Sequence, residues 1–175
     1  AARQAALGIY HAQKPDGSTI PLLKTLLTSA CERDCHYCPF RAGRDMARYT
    51  FKPEEMATAF MQLHRAGIAE GIFLSSGIVR GAVTTQDKLL DTAAILREKH
   101  QYRGYLHLKL MPGAEKAQIH HAMTLVDRLS INLEAPNPRR LAEIAPRKTF
   151  FAELVRPLQL VHAIRSALPA REGWN

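Results

Sequence analysis

Short apolar runs that alternate with amphipathic helical patterns predict an α/β fold whose strands lie parallel and are joined by right-handed crossovers. Two further features sharpen that prediction. Each apolar run closes in a loop carrying Gly, Ser, Pro or Asn, residues that stop a strand and open a helix. The only cysteines of the chain, Cys31, Cys35 and Cys38, sit together on the loop after the first run, at the strand end where parallel folds gather their ligands.

Residues 1–21 form an N-terminal lead-in, within which Pro15-Asp16-Gly17-Ser18 has turn chemistry: Pro presets the first corner and Gly accepts positive φ. Residues 22–28 read as the first strand. Beyond the cysteines, Lys52-Pro53-Glu54-Glu55 opens a helix with proline and acids in its first turn, and Met56, Ala59, Phe60 and Leu63 recur at helical spacing until Gly67. Residues 71–76 make the second strand, ending in Ser75-Ser76-Gly77. The next helix starts at Thr85-Gln86-Asp87 and carries Leu89, Leu90, Ala93, Ile95 and Leu96. The third strand spans 102–111 and is closed by Pro112-Gly113; a helix over 114–125 follows, with Ile119, Met123 and Val126 as its core stripe. Residues 129–133 are the fourth strand. Asn137-Pro138 has the pattern of an N-cap followed by proline at the first helical position. A longer helix over 149–168 carries Phe151, Leu154, Val155, Leu158 and Ile164, with Pro157 expected to kink or restart it. The βα units fill residues 22–168, and 169–175 reads as a tail or truncation point. The chain begins Ala1-Ala2-Arg3 without Met, so it is expected to be a fragment of a longer protein.

With 175 residues, 46% of them hydrophobic and 23% charged, the composition is that of one globular domain with a real core. No apolar run approaches the length of a membrane span, and nothing resembles a secretory signal, so a cytoplasmic location is expected. Lysine and arginine outnumber aspartate and glutamate 24 to 16, a net charge of +8 that is compatible with a phosphate-bearing partner. Arg33, Arg41, Arg44 and Arg48 surround the cysteine loop, and Arg139, Arg140, Arg147 and Lys148 follow the fourth strand. Two basic loops at one end of the fold are expected to form a single field, in which Arg41, Arg44 and Arg48 either grip substrate phosphates or are simply solvated.

Three soft thiolates within eight residues suit an iron–sulfur cluster or a zinc ion, and their loop offers no obvious fourth ligand. Zinc completed by His36 or His11 is the alternative, although zinc frameworks ordinarily present paired C-x2-C knuckles and one such pair exists here. A disulfide would leave an odd cysteine.

The run Cys31-Glu32-Arg33-Asp34-Cys35-His36-Tyr37-Cys38, a C-x3-C-x2-C pattern with an aromatic residue just before the last cysteine, closely resembles the signature of the radical S-adenosylmethionine (radical SAM) enzymes. That resemblance implies that Cys31, Cys35 and Cys38 bind three irons of a 4Fe-4S cluster, that S-adenosylmethionine chelates the fourth iron, and that Tyr37 packs beside the adenine. It implies reductive cleavage of the cofactor to methionine and a 5'-deoxyadenosyl radical, with an electron donor such as flavodoxin or ferredoxin. It also implies a partial parallel (β/α) barrel. Of the six βα units in such a core about four are visible here, and the last two strands are expected to be missing.

The remaining candidate residues lie at the same strand ends. Ser75, Ser76 and Gly77 occupy the place where the family carries a Gly-Gly-Glu-like stretch that binds the amino group of S-adenosylmethionine; this sequence has serines and no acid there, which leaves backbone contact or a plain strand-ending turn. On the fourth strand the two-residue period sends Ser130, Asn132 and Glu134 to one side. Asn132 and Glu134 also resemble the family's ribose motif, the alternative being a polar pair satisfied within the protein. On the third strand His107 and Lys109 share a face, where Lys109 can reach the cofactor carboxylate or a substrate phosphate unless the strand is an exposed edge.

Residues 23–38, the stretch His107-Leu108-Lys109-Leu110-Met111-Pro112-Gly113-Ala114, and Ser130 to Pro136 with Arg140-Leu141 and Ala145-Pro146 are similar to a radical SAM group named for DNA modification or repair. That narrower resemblance implies a substrate in nucleic acid or a nucleotide. The competing reading is a noncatalytic nucleic-acid-binding module with a structural zinc at the three cysteines.

Overall fold

The computed structural model of the protein describes residues 7–14 and 16–167. Its elements run β1 (Ile9–Gln13), β2 (Thr19–Leu26), α1 (Pro53–Arg65), β3 (Gly71–Ser75), α2 (Ala82–Ala94), β4 (Leu106–Lys109), α3 (Lys116–Leu125), β5 (Arg128–Ser130), α4 (Pro138–Ile144) and α5 (Arg156–Ala167), with π-helical turns at Ile95–Lys99 and Phe150–Val155. The five strands form one sheet in the order β1-β2-β3-β4-β5. β2 to β5 are parallel and β1 is antiparallel, so the architecture is the expected α/β one, an open, mostly parallel sheet.

β1 is an element the residue pattern does not announce, because only Ile9 of its five side chains is buried. It pairs with β2 from Ile9 opposite Leu23 to Gln13 opposite Thr19, across a turn in which Gly17 has φ of 81° and Asp16 Oδ1 accepts from Ser18 N at 2.9 Å. Pro15 of that turn lies outside the described residues, as do 168–175.

Local chemistry sets the helix ends. Glu55 Oε2 accepts from Lys52 N at 2.8 Å, and Asn137 Oδ1 accepts from Arg140 N at 3.0 Å, each satisfying an N–H that the first helical turn cannot. α2 starts three residues before the expected Thr85, directly after Gly81, whose φ of 89° turns the chain into the helix. The 149–168 helix opens instead as the π-helical turn Phe150–Val155, and Pro157 stands where α-helical bonding resumes. The wider turn displaces the apolar stripe: Leu154 and Ile164 are buried, while Phe151 is 64% exposed.

Alternation divides each strand between two faces. Leu23, Ile72, Leu74, Leu106 and Leu108 are buried against Met56, Phe60, Leu89, Leu96 and Ile119 of the helices. Lys24, Leu26, Phe73, Ser75, His107, Lys109 and Ser130 therefore lie on the face turned away from the helices. β4 is only four residues long and has a neighbour on each side, so His107 and Lys109 are not on an edge strand. A second, small core of Cys35, Ala135, Leu141, Ala145 and Leu154 ties the cysteine loop to α4 and the second π-helical turn. Among the described residues, no helix is long and apolar enough to cross a membrane.

Candidate functional site

A pocket of about 220 Å³ opens at the carboxyl ends of the parallel strands and is lined by all three cysteines. It draws Tyr37 from the same loop, Ser75, Ser76 and Gly77 from the end of β3, Lys109 from β4, and Asn132 and Glu134 from the chain after β5. Segments far apart in the chain, from Cys31 to Glu134, thus meet at one strand end, because every β-to-α loop of a parallel sheet leaves from that side.

Hydrogen bonds on both flanks fix the cysteine loop. His36 N donates to Ile144 O at 2.8 Å, and Glu32 accepts from Gly81 N at 3.2 Å. Arg33 donates to Glu153 Oε1 at 2.5 Å and to Arg147 O, while Arg147 reaches Asp34 at 3.5 Å and Glu32 O at 3.2 Å. Of the cations on the two basic loops, Arg33, Arg147 and Lys148 are paired with acids and carbonyls. Arg48 is likewise engaged, donating to the carbonyls of Ser29, Phe40, Arg41 and Arg44, so it braces the loop and is not free to grip a phosphate.

Cys31 Sγ accepts N–H bonds from Ile78 at 3.4 Å and Arg33 at 3.5 Å, the kind of contact that tunes metal-bound sulfur. Cys35 is buried, and Cys31 and Cys38 are partly exposed. Among the described residues no three His, Cys, Asp or Glu side chains converge on a point as one metal ion requires. Three soft thiols lining one pocket suit an iron–sulfur cluster, whose irons each take a separate ligand.

Gly77 has a steric reason to be glycine. A Cβ there would stand 2.0 Å from Ala30 O and 3.2 Å from Cys31 Cβ, and its N–H already donates to Thr28 O at 2.7 Å. Ser75 O accepts from Leu27 N at 2.8 Å, so this stretch also locks the start of the cysteine loop. Ser76 Oγ is buried and lacks a hydrogen-bond partner, an orphaned polar atom at a pocket that a polar ligand group would satisfy.

β5 leaves the sheet after Ser130, so the two-residue period expected through Glu134 does not hold; Glu134 instead has a φ of 63° and is turned into the pocket by that left-handed backbone. Ser130 is outside the pocket lining, its hydroxyl 2.8 Å from His107 Nε2. Asn132 and Glu134 are not paired with each other. Lys109 Nζ donates to Asn132 Oδ1, and Lys148 Nζ donates to Glu134 Oε1 at 2.9 Å and to Tyr37 Oη at 3.4 Å. Lys148 is the functional residue that sequence reasoning passed over, having counted it only in a basic run; its side chain is 8% exposed. Desolvation and the adjacent Glu134 carboxylate push the Tyr37 phenol up, which keeps it protonated. Burial pushes the Lys109 ammonium down, against the opposing pull of Glu134.

The family model of the Radical SAM superfamily matches residues 25–166. The chain belongs to that superfamily. Its members are enzymes that use a 4Fe-4S cluster and S-adenosylmethionine, and these are the cofactors of the present radical SAM chain. No curated protein matches it in sequence. In fold it is similar to the FeFe-hydrogenase maturase HydG from Carboxydothermus hydrogenoformans, with a TM-score of 0.68 at 17% identity over 82% of this chain and 33% of that one. It is also similar to methylornithine synthase PylB, with a TM-score of 0.66 at 14% identity over 83% of this chain and 42% of that one. A third likeness is to the cobalamin-dependent S-adenosylmethionine radical enzyme OxsB, with a TM-score of 0.61 at 15% identity over 83% of this chain and 22% of that one. The radical SAM chain thus spans less than half the length of each of these structures.

Proposed function

We propose that the pocket seats the 4Fe-4S cluster on Cys31, Cys35 and Cys38 and S-adenosylmethionine beside it, and that the whole protein uses the pair to start radical chemistry on a substrate. The observation that carries this reading is the meeting of three thiols with the Tyr37, Ser76, Lys109, Asn132 and Glu134 side chains around one pocket at the strand ends. When bound, the cofactor pair supplies reductive cleavage to a 5'-deoxyadenosyl radical that abstracts hydrogen.

The chain's own residues bind and orient. Tyr37, held neutral, offers an aromatic surface for the adenine. Ser76 Oγ and the neighbouring backbone are the partners for the amino group, and Lys109 is the partner for the carboxylate. Asn132 and Glu134 keep an amide N–H pair and a second carboxylate oxygen for the ribose hydroxyls, since the lysine contacts involve one oxygen of each. Lys148 fixes the direction of Glu134. Ser130, spent on His107, is left out of the cofactor seat.

The finer part of the proposal is a substrate in nucleic acid or a nucleotide, which the narrower resemblance implies and the net charge of +8 supports. An external electron donor such as flavodoxin or ferredoxin completes the reaction. The test is anaerobic reconstitution with iron and sulfide, followed by low-temperature electron paramagnetic resonance of the reduced protein. A 4Fe-4S signal that changes when S-adenosylmethionine is added is expected; a cluster whose signal ignores the cofactor, or zinc bound in its place, would overturn the reading.

A further inference from the structure

A second cleft, of about 720 Å³, lies on the face of the sheet turned away from the helices and shares Leu26, Phe40, Ser75, Lys109 and Asn132 with the cofactor pocket. Strand register sets Lys24 and Phe73 side by side in its lining. Lys24, Phe73, His107 and Arg128 are successive cross-strand partners on β2, β3, β4 and β5, so they form one row across the sheet. The His107 ring stacks on Phe73 with centroids 4.1 Å apart and planes at 17°, and Lys24 Nζ and Lys109 Nζ each stand 5.9 Å from the centre of the Phe73 ring. Tyr49 and Phe51, 70% and 41% exposed, line the cleft from the loop before α1.

The charges here are one-sided. No Asp or Glu lines the cleft, and among the described residues Lys24 is in no ion pair. Arg33, Arg147 and Lys148 near the strand ends are matched by carboxylates, whereas Lys24 is not and Lys109 donates to the Asn132 amide oxygen, so these two cations mark where a counter-charge is to come from outside. Exposed aromatic rings beside those cations supply a flat apolar surface to the same ligand.

We infer that this cleft is the substrate chamber and that it takes a ring-bearing anion, its carboxylate or phosphate held by Lys24 and its ring laid on the aromatic side chains around Phe73. That a ligand here is a substrate rests on the cofactor assignment above; that the site selects a ring-bearing anion does not.

The experiment is equilibrium binding of three probes, phenyl phosphate, inorganic phosphate and phenol, to the full chain and to Lys24→Met and Phe73→Leu, each variant first checked for an unchanged melting temperature. Phenyl phosphate is expected to bind at least tenfold more tightly than either half alone, and each variant to weaken it about tenfold. Equal binding of the three probes, or phenyl phosphate binding unaltered in both variants, overturns the inference. Lys24 is exposed, so its variant remains informative if Phe73→Leu fails to fold. The cofactor reading is scored separately, on the paramagnetic response of the wild-type cluster to S-adenosylmethionine: if that response is absent while phenyl phosphate still binds, the anion site stands and the substrate role falls.

Discussion

The cofactor pocket and the cleft beside it share a wall but treat charge in opposite ways. Around the pocket three ion pairs hold the lining: Lys148 with Glu134 at 2.9 Å, Arg33 with Glu153 at 2.5 Å, Arg147 with Asp34 at 3.5 Å. In the cleft, Lys24 faces the Phe73 ring and no carboxylate lines the wall. Such pairs contribute little net attraction, because desolvation offsets most of the Coulomb gain in the two of low exposure and water screens Arg147–Asp34, but they hold their groups in one geometry. Unmatched cations do the reverse, attracting a ligand while leaving its pose to shape. A fixed cofactor suits the first arrangement and a charge-selected ligand the second.

Four changes would break or sharpen that contrast, taken from the largest effect down. Cys35→Ala should abolish cluster assembly, read as iron and sulfide content, while phenyl phosphate binding in the cleft persists; an intact cluster would refute the ligand assignment. Gly77→Ala forces a methyl into Ala30 O and should destabilise the fold by about 2–3 kcal/mol, measured by urea unfolding, because the contact is with backbone that cannot step aside. Glu134→Ala should weaken S-adenosylmethionine roughly tenfold with the cluster spared, the cost of one charged hydrogen bond; unchanged affinity would remove Glu134 from the ribose site.

The smallest effect lies on the cleft side. Burial, with Arg128 and Lys109 adding to it, pushes the His107 imidazole down to about 4 from its ordinary value of 6.5. As pH falls, the unfolded chain takes up this proton first, so the stability present above about 6.5 is lost progressively as pH drops toward about 4. Phe73, Tyr105 and Ser130 complete the surroundings of the ring and carry no counter-charge. His107→Gln should flatten that stretch of the stability profile, measured as urea midpoints at pH 7 and pH 5; an unchanged slope would place the titrating group elsewhere.

Much of this was open to reading in the linear chain. The parallel α/β class, α1 with its Pro and Glu55 cap, the Asn137 cap and the three cysteines follow from patterns a few residues long, where local sterics and ligand spacing act without help from the rest of the fold. β1 was hidden because an edge strand with one buried side chain has no apolar alternation to show. The last helix misled by a different route. Its residues recur at helical spacing, but a π-helical turn shifts which of them face inward.

The site divides along the same line. Spacing within eight residues determined the cluster loop, because a ligand set on one loop is a local property. Lys148 at Glu134, Arg33 at Glu153 and the row Lys24, Phe73, His107 and Arg128 depended on which strands pair and in what register. Register is decided by burial of alternate residues against the helices, a property of the assembled sheet, so only the tertiary structure could match some cations with acids and leave others for a ligand.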